Sequence, residues 1–191
     1  MNPTSFAHCT AFIGGRRIVQ GDLRSVATAA RKAVASDPHA SLLVFDDDTG
    51  ATVEIDLHPA TDRAVDSAEA AEPPAPRGPG RPRLGVVARE VTLLPRHWDW
   101  LALQPGGASV ALRRLVEEAR RTHAGRDRVR RAQEATYRFM TTIAGNAPGY
   151  EEAARALFAA DAARFASATA GWPADVREHA ATLATAAFES K

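Results

Sequence analysis

The strongest constraint on this chain is a stretch that cannot pack. Between His58 and Gly85 it reads HPATDRAVDSAEAAEPPAPRGPGRPRLG, which holds six of its twelve prolines and almost no large apolar side chain beyond Val65 and Leu84. Such a run cannot bury enough apolar surface to offset the entropy of ordering it, so an extended or flexible linker is expected. Apolar periodicity therefore has to be found on either side of it.

On the N-terminal side the pattern is β-like and short. Thr10–Ile13 and Arg16–Gln20 flank Gly14-Gly15, a two-residue hairpin signal. Asp22 is placed to cap a helix over Leu23–Ala35, whose face holds Val26, Ala29, Ala30 and Ala33; Asp37-Pro38 ends it. Ser41–Phe45 reads as a buried strand. Ala51–Leu57 alternates, with Val53, Ile55 and Leu57 on one face. The expected order is ββαββ. Asp46-Asp47-Asp48 sits between the last two strands. Contiguous acids do not reproduce the alternating ligands of a calcium loop, and Asp-Thr-Gly suits a turn.

On the C-terminal side the pattern is helical. Pro95 suits the first turn of a short helix over Arg96–Leu103, with Trp98 and Leu101 on one face, and Pro105-Gly106-Gly107 breaks it. Ser109 is the expected N-cap of a longer helix with Leu112, Leu115, Val116 and Ala119 as its apolar stripe. Gly125 is a point of interruption. Beyond it Val129, Tyr137, Met140 and Ile143 trace a face, and Gly145–Gly149 is a break. Three short helices are expected over Tyr150–Ala159, Asp161–Ala168 and Ala174–Phe188, with Trp172 anchoring their core.

Charge is distributed unevenly. The whole chain of 191 residues carries a formal +1, yet segment 1–76 carries −5, segment 77–131 carries +8 and segment 132–191 carries −2. A basic middle between acidic ends points to an anionic partner, of which nucleic acid is the commonest; the alternative is a solvated, salt-bridged helix face.

Two resemblances sharpen the nucleic-acid reading. Gly80-Arg81-Pro82, flanked by Arg77 and Arg83, resembles an AT-hook, whose Gly-Arg-Pro core lies in the minor groove of A·T-rich DNA. The hook's usual arginine before the glycine is here Pro79, and a semi-rigid basic tether is the alternative. Val91-Thr92-Leu93-Leu94-Pro95, Trp98 to Leu101, and Gly107-Ala108-Ser109 leading into Ala111-Leu112-Arg113 together resemble the ribbon-helix-helix proteins. There two chains pair one strand each, the ribbon enters the major groove, and the second helix's N-terminus holds a phosphate. The resemblance implies a homodimer in which Ser109 and Val110 contact phosphate and Arg89, Val91 and Leu93, or their alternates, face the groove; Arg113 and Arg114, outside the apolar stripe of the second helix, are further candidate nucleic-acid contacts. Only Arg89 and Thr92 among the ribbon's side chains suit base reading. The alternative is that the segment is core and dimer interface.

The expected fold class is therefore α+β: a small α+β domain over 1–60, a Pro/Ala/Arg-rich flexible linker over 61–85, a ribbon-helix-helix-like segment over 86–124, and an α-helical region over 125–191. Over nearly its whole length, and most clearly in GVVAREVTLLPRHWDWLALQPGGASVALRRLVEEAR and WPADVREHAATLA, the chain is similar to an uncharacterised bacterial family, domain of unknown function 2239. That similarity implies a bacterial, cytoplasmic protein and no activity.

Catalytic motifs are lacking. Six histidines show no paired ligand spacing, no phosphate-binding glycine loop or Gly-x-Ser-x-Gly elbow occurs, and Cys9 is the only cysteine. His179, beside Glu178, reads as a surface residue. No enzyme, cofactor or metal is expected. A lone cysteine and the absence of a signal-like N-terminus or an apolar run of membrane length suit the cytoplasm. The expected function is DNA association, as a regulator or a partly non-specific binder; the alternative is a protein-interaction adaptor using the arginine-rich helix.

Overall fold

A computed structural model describes residues 8–57, 87 and 89–189. The elements in order are β1 (Cys9–Ile13), β2 (Arg16–Gly21), α1 (Leu23–Ser36), β3 (Leu42–Asp46), α2 (Pro95–Ala102), α3 (Gly107–Ala144), α4 (Tyr150–Phe158), α5 (Ala162–Ala168) and α6 (Ala174–Phe188). The chain divides into two compact units, one of residues 1–61 with 125–191 and one of residues 62–124. The linker segment 61–85, with Arg77, Arg81 and Arg83, lies outside the described residues.

The first unit is built on an antiparallel sheet of order β2-β1-β3. Gly14 and Gly15 close the β1–β2 hairpin with φ of +54° and +85°, the twist that a two-residue turn between right-twisted strands requires. A bulge between Ala11 and Phe12 breaks the register against β2, and Ile18 and Val19 both reach the same apolar cluster. β2 is an edge strand, and Asp175 in the first turn of α6 accepts its Arg17 N–H at 2.8 Å.

The sheet separates two apolar layers by its period-two alternation. Cys9, Ala11 and Val44 pack with Val26 of α1 and with Val53. Phe12 and Phe45 point the other way, into a larger core with Phe139 and Met140 of α3, Leu157 of α4, and Val176 and Ala180 of α6. Residues from both sides of the linker therefore share one core. Trp172 is buried and donates its indole N–H to the Pro148 carbonyl at 2.9 Å. Burial pushes the Cys9 thiol up to about 11, with Asp46 and Asp47 adding to the rise.

α1 starts where its cap predicts: the Asp22 carboxylate accepts from Ser25 N–H at 3.0 Å. The three C-terminal helices fall within a residue or so of the expected ranges. Three features differ. The expected fourth strand, 51–57, reduces to one bridge between Phe45 and Thr52, with Val53 N–H bonded to the Val44 carbonyl. Beyond it Val53 and Ile55 still pack inward, but the Asp56 carbonyl accepts from Arg31 of α1 rather than from a strand. Gly125 does not interrupt the helix; α3 runs through it for 38 residues. The buried face of α3 after that point is Ala135, Thr136, Phe139, Met140 and Ala144, so Tyr137 lies exposed, against Phe158.

The second unit contains α2 and the start of α3. Among the described residues, Leu101 and Ala111 are its buried apolar ones. Residues 89–94, expected as a ribbon, belong to no strand; Leu94 is extended (φ −67°, ψ 149°) and Pro95 opens α2.

Candidate functional site

The expected nucleic-acid contacts that the structure describes all lie in the second unit. Arg89 and Thr92 are exposed in the segment before α2. Gly106 and Gly107 have φ of +81° and +75°, and α3 begins at Gly107 rather than after Ser109. Ser109 is thus not a cap but an exposed residue of the first turn, beside exposed Val110, and its carbonyl accepts from Arg113 Nε at 3.1 Å. Free N–H groups of a first turn suit an anion.

Helix geometry sorts the rest. Successive residues turn by about 100°, so Arg113, Arg114, Arg120 and Arg121 share an arc of about 120° and Leu112, Leu115, Val116 and Ala119 share another of about 100°. All four arginines are exposed. Arg120 pairs with Glu117 at 2.8 Å; no carboxylate among the described residues pairs with Arg113, Arg114 or Arg121. The apolar arc is also uncovered: Leu115 and Val116 are exposed, as are Trp98, Trp100 (47%) and Leu103 (83%) of the preceding segment. These five large apolar side chains of the second unit are open to solvent.

The first unit holds a second polar arrangement that sequence reasoning missed. The 46–50 turn forms as expected: Asp46 Oδ1 accepts from Thr49 N–H at 2.7 Å and from its hydroxyl at 2.6 Å. Asp47 leaves the turn inward. Its carboxylate accepts from Thr10 Oγ1 at 2.7 Å and Gln20 Nε2 at 2.9 Å, and its Oδ1 lies 3.6 Å from His179 Nε2. His179 is not a surface residue: it is 1% exposed, with its ring against Phe139 (4.7 Å) and Phe12 (5.5 Å). Burial holds its imidazole below the ordinary 6.5, against the attraction of Asp47 and with Arg17 adding to the depression. Among the described residues, Nε2 has no hydrogen-bond partner. The one signal available was periodicity: His179 continues the α6 face of Val176, Ala180 and Leu183.

Among the described residues, no group of three or more His, Cys, Asp or Glu is placed to hold a metal ion, and no helix is long and apolar enough to cross a membrane.

The structure defines the class as mixed α+β, a small three-stranded antiparallel sheet followed by a helical region. Residues 8–184 match a family described as an uncharacterized protein conserved in bacteria (DUF2239), and the chain belongs to that family. No curated protein and no solved structure matches it.

Proposed function

We propose that the protein associates with DNA through its second unit, as a homodimer. The observation that carries this reading is the division of the start of α3 into an exposed arginine arc, three of whose guanidiniums have no carboxylate partner among the described residues, and an exposed apolar arc. The apolar arc, with Trp98, Trp100 and Leu103, supplies the surface that two copies bury; the arginine arc then tracks phosphates. Ser109 and Val110 place first-turn N–H groups toward an anion, and Arg89 and Thr92 supply such base contacts as the segment offers. Backbone contacts dominate this inventory, so binding is mostly non-specific and strongly salt-dependent. Arg77, Arg81 and Arg83, outside the described residues, add three cations to the same basic segment.

A mobility shift on mixed duplexes across a salt series tests this. Replacing Arg114 and Arg121 by Gln lowers the slope of log K against log salt by about 2 per chain, about 4 for the dimer, and deleting 77–83 lowers it further. Sedimentation gives a dimer that Trp100→Glu disrupts. Absence of binding to every duplex at low salt sinks the reading. The exposed tryptophans favour a second reading, an adaptor whose partner is another protein; nuclease-insensitive recovery of a single partner, without DNA binding, would select it.

A further inference from the structure

A cleft of about 580 Å³ opens in the first unit, between the later part of α3 and α6. The two helices run antiparallel here. Phe139 meets His179 at one end and Arg128 forms an ion pair with Glu189 at the other. Ala132, Ala135, Leu183 and Ala186 form a floor of mainly short side chains. The end beneath the 46–50 turn is acidic, with Asp47 and Asp48 beside Gln20 and His179. The other end is basic, with Arg131 and Arg128. From Ala135, on which the turn rests, to Arg131 and then Arg128 is a rise of about 6–10 Å along the helix.

We propose that this cleft binds a small extended zwitterion, an ω-amino acid or short peptide, with its ammonium at the acidic end and its carboxylate on Arg131. Arg128 is already held by Glu189. Arg131 uses Nε on the Asp127 carbonyl, and its terminal nitrogens meet no carboxylate among the described residues, leaving the fork that recognises one. At the opposite end Asp47 is fixed by Thr10 and Gln20 and still has lone pairs to offer. His179 supplies the independent sign of a ligand: a side chain 1% exposed, lining the cleft, whose Nε2 lacks a partner among the described residues. An unsatisfied buried nitrogen is costly, and a neutral imidazole with its lone pair on Nε2 accepts from an ammonium. A simple anion meets two carboxylates at one end and a simple amine meets a guanidinium at the other, so only a molecule with both poles satisfies the whole cleft. No residue of the second unit lines the cleft, so a ligand held here is independent of DNA binding.

Calorimetric titration of the full chain with ε-aminocaproate, triglycine, caproate and hexylamine tests it. A zwitterion binds, and caproate and hexylamine bind about tenfold or more weaker, because each loses one charge-assisted contact. Arg131→Gln and Asp48→Asn, both at exposed positions, each weaken the zwitterion about tenfold while far-UV circular dichroism stays unchanged. Arg131→Gln also removes the preference for ε-aminocaproate over hexylamine. Absence of heat from both zwitterions at millimolar concentration overturns the proposal, and so does caproate or hexylamine binding as tightly as ε-aminocaproate.

Discussion

The Phe45 and Phe139 rings meet edge to face with centroids 4.8 Å apart, joining the third strand to a helix that begins after the proline-rich segment. Both side chains are fully buried, and Phe12 closes on the same pair at 6.0 and 5.6 Å. Edge-to-face packing adds to the transfer energy of the rings. Phe139→Ala is therefore expected to cost about 3–5 kcal/mol, measured by urea unfolding. Because sheet and helices share this cluster, loss of near-ultraviolet signal and loss of helix should coincide. Two separated transitions in the native chain would show that the sheet and the helices unfold independently.

Gly50 is the backbone counterpart of that ring contact. Its φ is +64°, and a Cβ there would lie 2.0 Å from the Ala135 carbonyl oxygen. The turn bearing Asp47 and Asp48 can rest on α3 only with hydrogen at this position. Gly50→Ala is expected to destabilise the chain by about 2 kcal/mol or more, from left-handed strain and the clash together. A substitution without effect on the unfolding midpoint would mean that the turn does not sit on the helix.

The buried imidazole of His179 gives a pH dependence whose sign is set by its depressed value. As pH falls through about 6.5, the unfolded chain takes up this proton before the folded chain does. Its contribution therefore favours folding fully above that pH and declines below it, until the folded imidazole also protonates. The decline sets in at about 6.5, above the ordinary carboxylate range. Unfolding midpoints measured across it should fall with pH in the native chain, and His179→Gln should flatten that part of the profile. An equal slope in both chains would remove His179 as the cause.

Local structure was largely legible in the sequence because local rules govern it. Gly14-Gly15 demands a tight hairpin, Asp22 caps α1, Pro95 opens α2, and Gly145–Gly149 stops α3, each through backbone geometry set by one or two residues. Gly125 misled the same reasoning. A helix interior tolerates one glycine at about 1 kcal/mol, which neighbouring turns of α3 absorb.

The candidate sites were legible to different degrees. Arg113, Arg114, Arg120 and Arg121 were visible as a charge run, and helical spacing alone places them on one arc. The first-unit cleft was not visible. Asp47 and His179 are separated by more than a hundred residues, and neither stands in a motif; each looked like a turn acid and a surface histidine. Phe139 escaped the expected face of α3 because a phase chosen from Tyr137 and Val129 rotates it away.

The sequence by itself determined the elements, their caps and breaks, and the basic middle of the chain, because these depend on neighbours within a turn or two. Only the tertiary structure decided that residues 1–61 and 125–191 share one core, and that Asp47 and His179 lie 3.6 Å apart within it. Apolar burial is non-directional: it says which side chains leave water, not which distant partners they meet. That choice rests on shape, on three phenyl rings, a glycine without a side chain and the edge of a strand taken by Asp175.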